Sequence, residues 1–338
     1  MNPGVAHIVY AADDRFAEIL GVSLISLYEN SKDMDEIVIY VFDNNISENN
    51  KRKVEGICKK YGRKKIKWFL QKNINEELSI HVRADRGSIS QFSRLFISSI
   101  IPDDLDRILY LDCDVIVNKS IRELWNMNLQ GKTIGALSDA FSPLYRKNID
   151  LKRNDIMFNS GVMLIDLLLW KKNRIQDEII KFIEKKKGMV QQGDQGVLNA
   201  VLSHQTYCFE PRFNSVTIFF DFNFEEMLIY RKPPIGFYKM TEIVRAIEDP
   251  YVIHYTTSFI SKRPWVEGCD HKYVDKWLFY KNKSPWKTQS LWMDDSGIIK
   301  RIVIGALKAL PRSIMVRICG FMQAYVRPLY YRMLEKVI

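Results

Sequence analysis

The chain lacks most of the features that mark secreted, membrane-spanning or nucleic-acid-binding proteins. Its five cysteines are scattered over 338 residues, odd in number and without metal-ligand spacing, so we expect reduced thiols and no disulfide framework. No run of eighteen uncharged apolar residues occurs, which argues against a membrane-spanning helix. The N-terminus has neither the basic start nor the long apolar core of a secretory signal, and no nucleic-acid-binding motif is present. We therefore expect a cytoplasmic protein without nucleic acid among its partners.

Positive charge, in contrast, is abundant and unevenly distributed. The net charge is +10, and residues 299–338 supply +7 of it through eight lysines and arginines against one glutamate. On a helical wheel, residues 298–310 place three basic residues in one arc opposite an apolar face: Lys300, Arg301 and Lys308. A second basic segment, rich in aromatic residues, follows Pro311.

A basic amphipathic helix with aromatic residues beside it is typical of a segment that lies on an anionic membrane surface. The alternative is an ordinary helix packed on the domain with its charges solvated. We predict a globular domain over residues 1–285, and a C-terminal amphipathic tail over 286–338 that attaches to the inner face of the cell membrane.

The apolar pattern of the first part of the chain alternates between strand and helix. Strands are predicted at 5–11, 37–42, 65–70, 108–117, 133–137 and 161–166. Helices are predicted at 16–30, from an N-cap at Ser47, and at 90–100, 174–187 and 193–202. This order predicts an α/β fold with a mostly parallel, twisted sheet covered by helices on both faces. No internal repeat is present.

Two aspartates interrupt one of these apolar strands. Asp112 and Asp114 flank Cys113 within residues 107–117. Because side chains alternate along a strand, the two carboxylates should face one spot while the thiol faces away. Two neighbouring carboxylates are costly unless a cation compensates them, and Mg²⁺ or Mn²⁺ prefers such oxygens. The pair therefore predicts a metal and diphosphate site at the carboxyl end of a sheet strand, although acidic loop starts without a metal are also common.

Two further segments follow strands and carry polar groups. Small residues and Asp13 directly follow the first strand, where Asp13 could accept a hydrogen bond from a base or ribose. Asn159 and Gly161 lie at the mouth of the strand at 161–166. Each segment could also be a simple turn at the end of a strand.

Two more segments lie later in the chain. Asp194 and Gln195 stand between glycines that begin a helix, where Asp194 could instead be the N-cap. His254 ends an apolar strand and could supply the third metal ligand, although a lone histidine there is more often part of the core. Lys262 or Arg263 could neutralise diphosphate charge.

Taken in order, these motifs resemble glycosyltransferase family 8. The matching runs are Tyr-Ala-Ala-Asp-Asp, Leu-Tyr-Leu-Asp-x-Asp, Phe-Asn-Ser-Gly-Val, Asp-Gln, and His-Tyr followed by Lys-Arg-Pro-Trp, spread over residues 5–270. The likeness is to bacterial lipopolysaccharide and lipooligosaccharide galactosyl- and glucosyltransferases. It implies a GT-A fold, a UDP-sugar donor, Mn²⁺ (with Mg²⁺ possible) and retention of anomeric configuration.

The resemblance also implies roles for individual residues. Uridine and ribose contacts would come from Ala11 and Asp13, and the metal ligands would be Asp112, Asp114 and His254. Around the transferred hexose it places Arg94, Asp139, Asn159, Asp194 and Gln195. This chain departs from the family in two places: Arg15 stands where asparagine or a similar polar residue is usual, and the loop after His254 is longer and lacks glycine. Either Lys262 or Arg263 could therefore be the phosphate contact.

We interpret the chain as a retaining glycosyltransferase that moves galactose or glucose from its UDP derivative to a lipid-linked or cell-surface glycan. The catalytic candidates are Asp139, Asp194 and Gln195. Both a covalent intermediate on Asp194 or Gln195 and front-face attack by the acceptor are compatible with them. One alternative is an Asp-x-Asp phosphatase, and another is a non-catalytic membrane-associated module that binds sugar nucleotides or glycans.

Overall fold

The structure is a computed structural model that describes residues 4–70 and 89–337. Its strands are β1 (Val5–Asp13), β2 (Glu36–Asn44), β3 (Lys67–Leu70), β4 (Arg107–Leu111), β5 (Val115–Val117), β6 (Ile134–Ser138), β7 (Phe158–Asp166), β8 (Thr206–Cys208), β9 (Ser215–Val216) and β10 (Val252–His254).

The α-helices of the described residues are α1 (Ala17–Asn30), α2 (Glu48–Lys60), α3 (Ile97–Ile100), α4 (Arg122–Trp125), α5 (Pro143–Asn148), α6 (Leu167–Lys172), α7 (Ile175–Lys185), α8 (Gly193–Leu202), α9 (Thr217–Asp221), α10 (Phe224–Arg231), α11 (Met240–Glu248), α12 (Val274–Lys283), α13 (Ile298–Ala309), α14 (Arg312–Phe321) and α15 (Arg327–Val337). Short 3₁₀ turns cover Asp14–Phe16, Ile89–Phe96, Ser203–Gln205 and Pro211–Asn214, and a π-helical turn covers Met322–Val326. The predicted N-cap at Ser47 is confirmed, since its Oγ accepts from the Asn50 N–H at 3.3 Å.

The predicted mostly parallel sheet is confirmed. Seven strands follow the order β3-β2-β1-β4-β7-β6-β8, in which only β7 runs antiparallel to its neighbours. Ile8 and Tyr10 of β1 belong to one hydrophobic cluster and Val9 belongs to another, because successive side chains of a strand point to opposite faces. The sheet is therefore covered on both faces, as the alternating pattern predicts.

The prediction of one strand over 108–117 was wrong. β4 ends at Leu111, and β5 leaves the main sheet to join a small sheet of order β5-β10-β9. The break falls on the two aspartates: the Asp112 N–H still donates to Gly161 O of β7 at 2.7 Å, and the chain then turns away. Two carboxylates cannot lie inside a paired, apolar stretch without a large desolvation cost, so the strand divides where they occur. The helix predicted at 90–100 is also only partly α-helical, since a 3₁₀ turn covers Ile89–Phe96.

Residues on both sides of position 285 pack in one hydrophobic cluster, which includes Trp277 and Trp286. Beyond it, α13 is exposed, whereas α14 packs against α10 and α15 against α5. Within the described ranges no helix is both long and apolar enough to cross a bilayer. The function of residues 286–338 as a membrane-attachment tail stays a prediction.

Candidate active site

Three side chains converge at the junction of the two sheets. Asp112 and Asp114 follow β4, and the antiparallel pairing of β10 with β5 brings His254 beside them. His254 Nε2 lies 3.2 Å from Asp114 Oδ1 and 3.9 Å from Asp112 Oδ2. One ligand atom from each residue lies within 4.8 Å of the other two. The side chains are thus spaced as ligands of one cation would be, while Cys113 turns away and its Sγ donates to Ala11 O at 3.2 Å.

Each aspartate divides its two oxygens between this centre and an arginine. Asp112 Oδ1 lies 2.9 Å from Arg94, and Asp114 Oδ2 lies 3.4 Å from Arg263. The remaining oxygens face His254. Burial alone would raise the pKa of Asp114, but its interactions with His254 and then Arg263 outweigh burial and bring the pKa below its ordinary value. An oriented carboxylate pair with a nitrogen ligand suits a divalent cation such as Mn²⁺ or Mg²⁺.

A chain of hydrogen bonds fixes which nitrogen of His254 faces the centre. The Gly161 N–H must donate, so Asn159 Oδ1 accepts it at 3.1 Å and also accepts from Asn214 Nδ2 at 3.0 Å. The opposite end of that amide, Asn214 Oδ1, therefore accepts from His254 Nδ1 at 2.9 Å. Because Nδ1 donates to Asn214, Nε2 is the ring nitrogen that faces the aspartates and the one that would bind a metal ion, which is the usual arrangement of a metal-binding histidine.

Gly161 has no side chain, and two of these ligands occupy the space beside its Cα. A Cβ at this position would lie 2.2 Å from His254 Cε1 and 2.7 Å from Asp112 Oδ2, both far inside van der Waals contact. Any side chain on this residue of β7 would displace two of the three candidate ligands.

Arg94 connects the metal centre to the second acidic group. Its guanidinium contacts Asp112 and, at 2.7 Å through Nε, Asp194 Oδ2. Burial opposes its charge, but the two carboxylates raise the pKa of Arg94 above the ordinary value. Burial and then the negative charge of Asp112 raise the pKa of Asp194 to about 6, although Arg94 acts in the opposite direction. Asp194 is not the N-cap considered above, because Gln192 precedes α8 and Asp194 lies in its first turn.

A cavity of about 550 Å³ joins these groups, a volume typical of ligand sites. Of the twelve site residues predicted from the sequence, nine line it: Arg94, Asp112, Asp114, Asp139, Asn159, Asp194, Gln195, His254 and Arg263. Gln195 is held in place through its Oε1, which lies 3.3 Å from both Ser160 N and Ser160 Oγ. Asp139 follows β6 and is buried.

Three predicted residues do not line this cavity. Ala11 O accepts from Cys113, and Asp13 Oδ1 accepts from the Phe16 N–H at 3.0 Å as a helix cap. Lys262 Nζ is held by Asp294 at 3.0 Å, so Arg263 is the member of the basic pair that faces the carboxylates. The nucleotide-binding roles of Ala11, Asp13 and Lys262 stay predictions.

Arg15, which departs from the family pattern, lies over the Trp292 ring at 4.4 Å. Its side chain is exposed and outside the cavity that holds the aspartates. The departure from the family pattern at Arg15 therefore adds no charge to the metal centre.

Sequence reasoning missed several residues of the site. Asn214 lies in a short 3₁₀ turn, where no motif marks it. Thr257 holds Arg263 NH2 through its Oγ1 at 2.8 Å. Arg231, Gln323 and Arg327 line the cavity from helices far along the chain. The sequence showed that residues 286–338 are basic, but this charge was interpreted as binding a membrane surface and not as part of the cavity.

Known proteins resemble this chain in sequence and structure. The model of the family "Glycosyl transferase family 8" matches residues 7–268. General stress protein A of Bacillus subtilis is 30% identical over 287 residues, covering 84% of this chain and 96% of that protein. Lipopolysaccharide 1,2-glucosyltransferase of Escherichia coli is 22% identical over 289 residues, covering 84% and 80%. The crystal structure of the galactosyltransferase LgtC with donor and acceptor sugar analogues has a TM-score of 0.70 at 26% identity, covering 82% of this chain and 96% of LgtC.

The sheet, the acidic centre beside its carboxyl edge and the LgtC likeness define a glycosyltransferase of the GT-A fold. The family model covers well over half of the sequence. The chain belongs to glycosyltransferase family 8, as the sequence motifs indicated.

Proposed function

We propose that this protein is a Mn²⁺-dependent, retaining glycosyltransferase that transfers galactose or glucose from a UDP-sugar to a lipid-linked or cell-surface glycan. One observation carries the proposal: Asp112, Asp114 and His254 form an oriented ligand set in the same cavity as Asp194 and Gln195. The likeness to proteins named as a galactosyltransferase and a glucosyltransferase supports a hexose donor.

The residues of the centre fit the proposed metal ion. Two carboxylates and one imidazole nitrogen suit Mn²⁺ better than Mg²⁺, because imidazole is a softer ligand than oxygen. The ion would be held by these three side chains and, when bound, would neutralise negative charge on the leaving diphosphate. Arg263 contacts Asp114 and lines the cavity, so it is placed to add positive charge there.

The sugar-binding end of the cavity is assigned to the acidic and amide side chains. Arg94 holds Asp112 and Asp194 in fixed positions, so the metal-binding and sugar-binding groups share one rigid connection. Asp139 and Gln195 line the same space and can hydrogen-bond sugar hydroxyls. Retention would follow either from two successive displacements or from front-face attack. In the first case Asp194 or Gln195 replaces UDP on the anomeric carbon and the acceptor hydroxyl then replaces that residue; in the second the acceptor hydroxyl bonds the anomeric carbon as UDP departs from the same face.

The donor and the metal are tested together by calorimetry. UDP-galactose and UDP-glucose are titrated with and without Mn²⁺, and slow hydrolysis of the tighter ligand is then followed. We expect donor binding to need the ion, and we expect Asp112→Asn and Asp114→Asn to fold normally but lose Mn²⁺ binding and turnover. Asp295→Asn is the matched control, because the Asp295 side chain is 90% exposed.

Full activity in either metal-site variant would contradict the proposal. Tight binding of UDP and Mn²⁺ without hydrolysis or transfer would instead favour the non-catalytic binding module. The phosphatase alternative has no support from the family to which the chain belongs.

We also propose that α13 attaches the protein to the inner face of the cytoplasmic membrane, close to lipid-linked acceptors. Four of its apolar side chains are 51–80% exposed: Ile298, Ile299, Ile302 and Val303. Exposed apolar groups on a basic helix are typical of segments that bind anionic lipid surfaces.

Vesicle sedimentation tests this attachment. The protein should bind vesicles of phosphatidylglycerol and not vesicles of phosphatidylcholine alone, and the double change Ile299→Ser and Ile302→Ser should abolish binding. Ile235→Ser is the matched control, since Ile235 is 91% exposed but distant in the sequence from the basic tail. Equal sedimentation of the double variant and the control would contradict the assignment.

A further inference from the structure

The end of the described chain forms one wall of the active-site cavity. Gln323 of the π-helical turn and Arg327 of α15 line it, together with Arg231 at the end of α10. These residues come from helices, whereas the metal-binding side chains come from the ends of sheet strands. The cavity therefore has a second wall that the motifs of the family do not include.

This wall is held by specific contacts. Gly320 packs so closely on α10 that a Cβ would lie 2.7 Å from Ile229 O. Buried side chains of the catalytic domain bond the backbone that follows: Ser142 Oγ donates to Ala324 O and Asn148 Nδ2 donates to Pro328 O, each at 2.7 Å. The segment is thus a fixed part of the fold, and its π-helical turn is a geometry that occurs often at functional sites.

The wall presents two positively charged side chains to the cavity. Within residues 4–70 and 89–337, neither Arg231 nor Arg327 forms an ion pair. Arg231 lies over the rings of Phe141 at 5.1 Å and Tyr230 at 5.5 Å, and its buried Nε has no hydrogen-bond partner in the part of the chain that the structure describes. Arg327 donates a long hydrogen bond, of 3.4 Å, to Gln323 Oε1 and lies over the Tyr331 ring at 5.8 Å. Two partly buried guanidinium groups in one cavity favour an anionic ligand with several oxygens.

The donor diphosphate has other candidate partners. Asp112, Asp114 and His254 would hold its cation, and Arg263 stands beside them. Arg231 and Arg327 belong to the other wall, which also carries the aromatic rings of Phe141 and Tyr230. Aromatic faces beside cations suit a sugar ring that bears a charged group.

We propose that the acceptor carries a phosphate or diphosphate group, and that Arg231 and Arg327 bind this group. This proposal rests on the proposed glycosyltransferase function and specifies its acceptor. Two guanidinium groups from separate helices match a phosphate group better than a singly charged carboxylate. A phosphate monoester carries close to two charges and three free oxygens, and a diphosphate between a lipid and a sugar carries two charges and four free oxygens. The charged group can belong to a lipid diphosphate or to a phosphorylated sugar.

Three acceptor probes distinguish these sources: octyl β-galactoside, its 6-phosphate, and N-acetylglucosamine linked to farnesyl diphosphate. Each is offered with UDP-galactose, UDP-glucose and Mn²⁺, and its binding to the protein with UDP and Mn²⁺ is measured by calorimetry. We expect at least one phosphorylated probe to bind and react with kcat/KM about ten-fold or more above that of the neutral sugar. The better phosphorylated probe identifies the source.

Arg327→Gln should raise the acceptor KM by about ten-fold or more and leave the donor Kd unchanged. Arg327→Lys should recover part of the loss because it keeps the charge, and Arg231→Gln should act in the same direction as Arg327→Gln. Arg317→Gln is the matched control, because Arg317 is exposed on the same segment and does not line the cavity. Melting temperatures confirm that each variant is folded.

Equal use of the neutral and phosphorylated probes, or no binding of either phosphorylated probe, would overturn this proposal. A higher donor Kd in Arg327→Gln with an unchanged acceptor KM would also overturn it, because Arg327 would then bind the donor. Failure of the proposed function gives a different result, namely that no UDP-sugar binds to the unaltered protein.

Discussion

Replacing Gly161 by alanine tests whether the site depends on the space beside the metal ligands. The new Cβ would lie 2.2 Å from His254 Cε1 and 2.7 Å from Asp112 Oδ2. Carbon atoms pack at about 3.5 Å or more, so the imidazole must withdraw by about 1.3 Å. The backbone of Gly161 is held in place, because Gly161 O accepts from the Asp112 N–H at 2.7 Å, next to the last pair of the β4–β7 ladder.

The expected loss of metal affinity is large. Protein metal sites keep their ligand distances within about 0.2 Å, so a shift of this size removes His254 from the ligand set. Loss of one of three side-chain ligands should weaken Mn²⁺ binding by about 100-fold or more, since disturbing even an outer-shell partner costs about 10–100-fold. The added methyl group should also destabilise the fold by about 1–3 kcal/mol through overpacking.

The assay is a titration with Mn²⁺ that follows the electron paramagnetic resonance signal of the free ion, together with urea unfolding of the same samples. Gly56→Ala is the matched control: Gly56 lies within α2, and a Cβ there meets nothing within 4 Å. That variant should gain about 0.5–1 kcal/mol of stability and bind Mn²⁺ normally. If Gly161→Ala stays folded and binds Mn²⁺ within two-fold of the unaltered protein, the assignment of the centre is wrong.

Two further predictions concern histidines. Asn214→Leu should weaken Mn²⁺ binding by about 10–100-fold, because His254 Nδ1 loses the acceptor that orients the ring. Calorimetry with Mn²⁺ measures the change, and an affinity equal to that of the unaltered protein would contradict the role of Asn214. Burial lowers the pKa of His271 to about 4, so the unfolded chain takes up a proton first as the pH falls. The stabilising contribution of neutral His271 is therefore complete above about pH 6.5 and is lost toward pH 4, by about 3 kcal/mol in total. Urea unfolding at pH 7 and pH 5 should show a steeper loss in the unaltered protein than in His271→Asn, and parallel losses would refute this assignment.

Local sequence patterns determined much of the fold and of the metal centre. The Asp-x-Asp pattern was enough to predict that Asp112 and Asp114 face one centre while Cys113 faces away, although the three residues lie in the turn between β4 and β5 and not inside one strand. The helical periodicity at 193–202 and the N-cap at Ser47 were likewise predictable, since both depend on contacts within one or two turns.

Tertiary structure decided what depends on residues distant in the sequence. An apolar run such as 108–117 contains no sign that its second half pairs with β10, more than 130 residues later. Local sequence likewise contains no sign that Arg263 contacts Asp114, that the amide of Asn214 bonds His254, or that Arg327 lines the cavity. These contacts form only when separate elements pack together, and no local pattern encodes which distant surfaces will meet.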